Sequence, residues 1–152
     1  MKRRWSNGRA LWGVGAGLVV VALLVGAGAW AYGTAKITVN TLDEVLKGNP
    51  LPADKTAQVT WKSRASNAEL HVLELSKIKL HSHELEDHIV YVIRGQATAR
   101  LGDETRTVKA GDILNIPKRV PHGFTKEGKE NLVFLVVATA GWDGLKDIKF
   151  HE

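Results

Sequence analysis

Short segments of alternating apolar and polar residues fill the chain from about residue 58 onward. Such alternation over about four to eight residues predicts half-buried β-strands. The predicted strands are 58–64, 69–79, 88–94, 96–101, 105–109, 112–117 and 131–139. Glycine-containing polar turns separate some of them, at 102–104 and 128–130. Short, regularly spaced strands joined by turns predict an all-β sandwich or barrel.

An apolar stretch from Ala10 to Ala31 follows a basic N-terminus. As a helix it is long enough to cross a bilayer, which takes about 20 residues. With small residues at Ala29 and Ala31, it also fits a secretory signal peptide. Its length exceeds the usual apolar core of a signal peptide, about 7–15 residues, and therefore favours a retained transmembrane anchor. Either interpretation places the following domain on the extracytoplasmic (periplasmic) side, anchored to the inner membrane or secreted.

The segment between this stretch and the strands predicts one short helix and a linker. Thr41 and Glu44 have the spacing of a capping box, and Gly48 is a typical helix end. The predicted division of the chain is membrane anchor or signal peptide, helix and linker, β-barrel, and C-terminal tail, at residues 1–33, 34–57, 58–140 and 141–152. The tail contains apolar residues that we expect to pack across the barrel or to dock a partner: Trp142, Leu145 and Phe150.

Four histidines have spacings that suit metal ligands: His81, His83, His88 and His122. His81 and His83 share one face of a strand because strand side chains alternate, and the other two can approach from other strands. The chain has no cysteine to compete for this role. The expected cofactor is one divalent transition metal (Fe, Zn, Ni, Mn or Cu), since imidazole suits several of these ions. A hydrogen-bonded core histidine is the ordinary alternative for any single member of the set.

These spacings resemble the two motifs of the cupin superfamily. The first motif is His-x-His, three or four residues, Glu, six residues, Gly; the corresponding residues are His81, His83, His88 and Gly95. The second is Gly-x5-Pro-x-Gly-x2-His; the corresponding residues are Gly111, Pro117 and His122. The resemblance spans roughly residues 76 to 136. It implies a double-stranded β-helix, or jelly-roll barrel, with His122 as a metal ligand and two copies paired as a homodimer.

The chain departs from the family pattern at two positions. His88 stands where the family usually has Glu, and Arg119 replaces the glycine after Pro117. Four neutral imidazoles leave the full charge of a divalent ion in the pocket, which would attract an anionic oxygen of a substrate or hold an acidic bound water. Glu86 or Asp87 supplies the missing carboxylate if the local register slips. The arginine removes a residue that tolerates positive φ from a tight turn.

Other polar and aromatic residues carry weaker expectations. Glu86 is the acid–base candidate, with a solvated loop carboxylate as its alternative. His71 is expected at the surface or the rim, and His151 in solvent. Arg100 either points inward to bind a substrate carboxylate or is solvated. Three aromatic residues either line the cavity or pack in the core: Trp61, Tyr91 and Phe124.

Charge narrows the choice of partners. The formal net charge is +5, and Lys2, Arg3, Arg4 and Arg9 contribute most of it. A nearly neutral folded part argues against nucleic-acid binding. By its resemblance to small cupins, the chain is expected to be a metal-dependent enzyme acting on a small oxygenated organic molecule, with a dioxygenase favoured over an isomerase or lyase. Two alternatives remain: a non-catalytic module that binds or senses metal or a small ligand at the membrane, and a domain whose metal only stabilises the barrel.

Overall fold

The computed structural model describes residues 37–139 and 147–152. The predicted anchor or signal segment, and Trp142 and Leu145 of the predicted tail, lie outside these described residues. Within them, no helix is both long enough and apolar enough to cross a membrane.

One helix precedes the strands. Helix α1 spans Leu42–Gly48, as its capping signals predict. The Thr41 backbone N–H donates to Glu44 Oε2 at 2.9 Å, and the Glu44 N–H donates to Thr41 Oγ1 at 3.3 Å. This reciprocal pair supplies partners for backbone donors that the first helical turn leaves unpaired.

Ten β-strands follow among the described residues and form two five-stranded sheets. They are β1 (Ala57–Arg64), β2 (Ala68–Leu75), β3 (Lys77–His83), β4 (His88–Arg94), β5 (Gln96–Leu101), β6 (Glu104–Lys109), β7 (Ile113–Ile116), β8 (His122–Lys126), β9 (Leu132–Thr139) and β10 (Ile148–Phe150). The first sheet has the order β1-β2-β9-β4-β7, the second β10-β3-β8-β5-β6, and neighbours are antiparallel in both. This arrangement confirms the predicted all-β jelly roll.

The core lies between the inner faces of the two sheets, where Val90, Val92 and Phe134 are buried. The alternating residues of β4 face the other way and are partly exposed, Ile89 by 49% and Tyr91 by 43%. Both faces of β4 carry apolar residues, but the described residues cover the outer face only in part. Tyr91 therefore neither lines the cavity nor packs in the core, so both of its predicted roles are wrong.

Apart from one-residue shifts at strand ends, the strands differ from the prediction in three places. The predicted segment 69–79 is two strands in different sheets, and the chain turns at Ser76, where the N–H groups of Ser76 and Lys77 both donate to Thr56 O (2.8 and 3.1 Å). Strands β8 and β10 were not predicted. Gly123 makes β8 resemble a turn in sequence, but a Cβ there would lie 3.1 Å from the Leu80 backbone, so glycine permits the close approach of β3.

Candidate metal centre

Strands β3 and β8 bring three histidines together. His81 and His83 are buried on β3, and His81 pairs in register with His122 of β8. The ring centroids of His81 and His122 are 4.3 Å apart, and those of His81 and His83 are 5.1 Å apart. Each of the three rings offers a nitrogen atom within 4.8 Å of those offered by the other two. The alternation of side chains along β3 and its register with β8 therefore bring three histidines together as one potential ligand set.

Backbone carbonyls orient two of these rings. His81 Nδ1 lies 2.8 Å from Lys79 O, and His122 Nδ1 lies 3.0 Å from Val120 O. A carbonyl can only accept, so each Nδ1 carries the proton and each Nε2 keeps its lone pair. A ring fixed in this tautomer is ready to bind a metal through Nε2.

His88 and Glu86 form a second group, which shares His83 with the first. His88 Nε2 lies 2.7 Å from Glu86 Oε1, and the same oxygen lies 3.1 Å from His83 Nδ1. The His88 ring centroid is 4.2 Å from that of His83 and 5.9 Å from that of His122. The structure thus gathers all four predicted histidines in one region but divides them between two groups. Asp87 lies outside both groups, and its Oδ1 accepts a hydrogen bond from Lys118 N at 2.8 Å.

The protonation states suit metal binding. Burial, with a further contribution from the neighbouring His81, lowers the pKa of His122 to about 3, and burial also lowers the pKa of His81. Burial alone would raise the pKa of Glu86, but hydrogen bonds from His83 and His88 outweigh it and lower that pKa to about 2. At neutral pH the site therefore holds two neutral imidazoles and an ionised carboxylate, which are the forms that bind metals.

A carboxylate immediately before the C-terminal strand β10 supports His83. Asp147 is buried, and its Oδ2 lies 3.1 Å from His83 Nδ1. Its Oδ1 accepts the Leu85 N–H at 2.7 Å, which ties down the segment that leads to Glu86. A carboxylate behind a ligating imidazole fixes the ring and raises its basicity. The sequence offered no local signal for Asp147, because only the pairing of β10 with β3 brings it to His83.

Strand β10 also places the other C-terminal residues. Ile148 pairs with His83, and Phe150 pairs with His81. His151, expected in solvent, instead places Nε2 2.9 Å from Ser82 Oγ, and its N–H donates to Leu80 O at 3.0 Å. The serine between the two β3 histidines therefore has its own partner outside the metal ligands.

The histidines open into a cavity of about 310 Å³. Its other walls are mainly apolar and include Phe124, Phe134, Val90, Val136, Leu73 and Ile148. Phe124 lines the cavity, which is one of the two roles predicted for it. His71, predicted at the surface or the rim, also lines the cavity. Trp61 instead borders a groove beside α1. Arg100 is exposed, and its Nε donates to Gly102 O at 2.8 Å, so the inward orientation predicted as one alternative is wrong.

The residues present fit a divalent metal. Glu86 Oε2 is buried and has no hydrogen-bond partner among the described residues. An ionised buried oxygen without a partner is costly unless a cation compensates it. Neutral imidazoles converging beside it supply the donors that Zn, Fe, Ni and Cu prefer. The donor set and the unpaired oxygen therefore both indicate a cation at this place.

The turn before His122 carries the second departure from the family pattern. Arg119 adopts φ of 67°, a conformation that favours glycine. Its N–H donates to His83 O at 2.7 Å, which links this turn to the end of β3. Arg119 therefore adopts a left-handed conformation, which a glycine at this position would adopt more readily.

Comparison with known proteins places this fold. A family model described as a cupin domain matches residues 70–138. An uncharacterised protein of Methanocaldococcus jannaschii is 35% identical over 72 residues, 47% of this chain and 58% of that relative. The match therefore spans less than two thirds of the relative's length.

The solved structures with similar folds include the following two. One is a conserved protein with a double-stranded β-helix domain from Klebsiella pneumoniae, at 21% identity and a TM-score of 0.64, covering 77% of this chain and 99% of that one. The other is the polyketide cyclase RemF from Streptomyces resistomycificus, at 29% identity and a TM-score of 0.50, covering 58% of this chain and 63% of that one. The first shows the fold alone. With the two sheets, both motifs and the family model that matches residues 70–138, this part of the chain belongs to the cupin superfamily.

Proposed function

We propose that this cupin domain binds one divalent transition metal through His81, His83 and His122 and acts on a small oxygenated organic molecule. The observation that carries the proposal is the convergence of three buried imidazoles at the wall of a largely apolar cavity. Two of these rings are held with Nε2 available by backbone carbonyls, and the third is braced by Asp147. A three-ligand set leaves coordination positions for a substrate, as catalytic sites do.

Glu86 and His88 form the proton-handling pair of this proposal. The buried carboxylate accepts a hydrogen bond from His88 Nε2 and keeps its charge, which compensates part of the charge of a bound cation. Imidazole is the side chain best suited to accept and return a proton near neutral pH. A bound metal would polarise a substrate carbonyl or enol oxygen as a Lewis acid. With a metal bound, His88 would accept a proton at Nδ1, because its Nε2–H is donated to Glu86. That proton would leave the carbon next to the polarised carbonyl and return to another atom of the same substrate, so that no co-reactant is needed.

This chemistry favours an isomerase or cyclase. The likeness to a polyketide cyclase supports it, because ring closure on an oxygenated carbon skeleton needs the same combination of Lewis acid and proton transfer. A dioxygenase is the second candidate, because three protein ligands leave more positions for substrate and O2 than four would. His88 as a fourth ligand stays a prediction.

The proposed location rests on the sequence. The basic N-terminus and the following apolar stretch support a domain on the extracytoplasmic side, tethered to the membrane by an uncleaved segment or secreted after cleavage. Fractionation of cells that express a C-terminally detectable full chain tests this: we expect the protein in the membrane or periplasmic fraction. Recovery in the cytoplasmic fraction alone would contradict the proposal.

Elemental analysis of the full chain tests the metal site. We expect one transition metal per chain in the wild type and a loss of at least about tenfold in occupancy in His122→Ala, because a ligand is removed. His151→Gln is the matched control, since His151 bonds Ser82 outside the ligand set, and it should keep the metal. Circular dichroism checks that each variant is folded. A metal-free wild type, or a fully loaded His122→Ala, would contradict the proposed site.

Two readouts separate the reaction classes. Metal-loaded protein is incubated with β-diketones and hydroxy acids in deuterated water, and exchange of carbon-bound protons is followed by NMR beside oxygen uptake. Metal-dependent exchange without oxygen uptake supports the isomerase or cyclase, and it should fall in His88→Ala. Oxygen uptake supports the dioxygenase. Saturable binding of these compounds with neither reaction would instead support the non-catalytic binding module.

A further inference from the structure

A second polar group lies on the cavity wall away from the proposed metal ligands. His71 on β2 lines the same cavity as the four histidines, and its side chain is 12% exposed. Its Nε2 lies 3.0 Å from Glu69 Oε2, on the same face of the strand. Among the described residues that line this cavity away from the histidine–Glu86 cluster, the other members are apolar. This pair therefore stands out chemically from its surroundings.

Glu69 is held as a charged group. It is a buried residue, and its Oε1 also accepts hydrogen bonds from the Arg64 guanidinium. Hydrogen bonds from His71 and Arg64 lower the pKa of Glu69 and so keep the carboxylate ionised. The arginine side chain is largely exposed, while the carboxylate and the imidazole are not. Glu69 thus links the exposed Arg64 to the less exposed His71, and its hydrogen bond fixes the orientation of the His71 ring.

Sheet register sets the separation between the two polar regions. Glu69 pairs with Ala138, which pairs with His88, so β2 and β4 are two strand spacings apart, about 10 Å. His71 stands one inward position further along, in the row of Val136 and Val90. The cavity wall between the regions consists of aliphatic side chains such as Val136 and Val90. A ligand that contacts both must be apolar in its middle.

We propose that the Glu69–His71 pair is a recognition site for the far end of the ligand, and that the ligand is a compact, mainly apolar molecule with two separated oxygen functions. One oxygen, a carboxylate or enolate, is taken by the metal end, and the other, a hydroxyl, is bound at His71. This inference rests on the proposed metal site and adds the ligand class to it. A para-substituted aromatic acid has this form, whereas a sugar-like molecule would place hydroxyls against the apolar wall without partners.

Three aromatic acids test the proposal on the metal-loaded full chain by calorimetry. Benzoate carries only the carboxylate, 4-hydroxybenzoate adds a distant hydroxyl, and 2-hydroxybenzoate adds one beside the carboxylate. We expect 4-hydroxybenzoate to bind about tenfold more tightly than benzoate, because its hydroxyl gains one hydrogen bond at a site shielded from water. This advantage should vanish in His71→Leu and largely return in His71→Gln, which keeps a donor for Glu69. Leu73→Met, on the same strand and the same wall, should shift both affinities alike.

Metal content measured in each sample keeps the two hypotheses separate. A wild type that takes up no metal would overturn the proposed metal site and this inference with it. Normal metal content with the same affinity ratio in wild type and His71→Leu would overturn the recognition role alone. So would an advantage for 2-hydroxybenzoate that depends on His71. Failure of all three acids to bind metal-loaded wild type would overturn the ligand class.

Discussion

The histidine end and the apolar end of the barrel interior are formed by the same strands. On β8, His122 is followed two residues later by buried Phe124, and on β4, His88 is followed by Val90 and Val92. One step along each strand thus replaces an imidazole with an apolar side chain. At the apolar end, side chains contribute through volume and contact, whereas at the histidine end each of the four imidazoles has a hydrogen-bond partner for one of its ring nitrogens. Substitutions should therefore affect stability at one end and metal affinity at the other.

The largest expected effect lies at the apolar end. Leu75 is fully buried and belongs to the main core cluster. Leu75→Ala leaves a cavity and should lower the free energy of unfolding by about 2–5 kcal/mol. Urea denaturation of chelator-treated protein measures this loss, and metal content per folded chain should stay at the wild-type level. A metal loss comparable to that of His122→Ala would break the distinction between the two ends.

Acid should destabilise the metal-free domain through its histidine end. An unfolded His122 takes up a proton below its ordinary pKa of 6.5, whereas the folded one does so only near 3. The lowered folded value means that stability is highest above pH 6.5 and is lost as the pH falls toward 3. His122 alone should cost about 2 kcal/mol between pH 6.5 and 5, and His81 acts in the same direction.

Urea unfolding at pH 7, 6 and 5 after chelation measures this slope. His122→Gln removes the titrating group and should flatten it, while His151→Gln should leave it unchanged. An equal slope in His122→Gln and wild type would place the acid sensitivity elsewhere.

Asp147 tests the contribution of a residue that contacts the proposed ligand His83 without being a proposed ligand itself. Asp147→Asn keeps the size of the side chain and an acceptor for the Leu85 N–H, but removes the charge behind His83. Metal affinity should fall about 10–100-fold, as it does when such supporting partners are lost. Competition with a chromophoric chelator measures it. A loss of unfolding free energy in metal-free protein with unchanged metal affinity would make Asp147 purely structural.

The smallest effect is expected at the turn before His122. Arg119 has a φ of 67°, and its contact with Glu84 at 3.6 Å is between largely exposed side chains, which contributes little. Arg119→Gly relieves a left-handed conformation at the expense of a more flexible unfolded chain. The net gain should be about 0.5–1 kcal/mol in unfolding free energy. Thermal denaturation measures it, and a destabilised variant would show that the arginine holds the turn.

Local alternation was enough to predict most of the barrel. Strands such as β4 and β5 alternate regularly along their whole length and have clear ends, so their bounds matched the prediction. The break at Ser76 was not predictable, because it depends on hydrogen bonds to Thr56, a partner far away in sequence. β8 was missed because the local preference of Gly123 for turns is overridden by the contact with β3.

The site divides in the same way. The spacing of His81 and His83 placed both on one face, and the family resemblance connected them to His122. Which acceptor each ring finds depends on tertiary structure, so the pairing of His88 with Glu86 and the support from Asp147 had no counterpart in local sequence. For His71 a signal existed: it shares the parity of the buried residues Glu69 and Leu75 on β2. Because alternate residues of a strand share one face, this rule would have predicted that the His71 side chain points inward.

His83 and its neighbours depend on strands that are far apart along the chain. The three proposed ligands come from β3 and β8, and the carboxylate behind one of them comes from Asp147, immediately before β10. Contacts of this kind close long loops and form late in folding. Ion capture would therefore favour only the completed barrel and add its binding free energy to that state alone. Partially folded chains lack a full set of ligands. The rate of ion uptake during refolding would therefore report the rate at which the last strands pair.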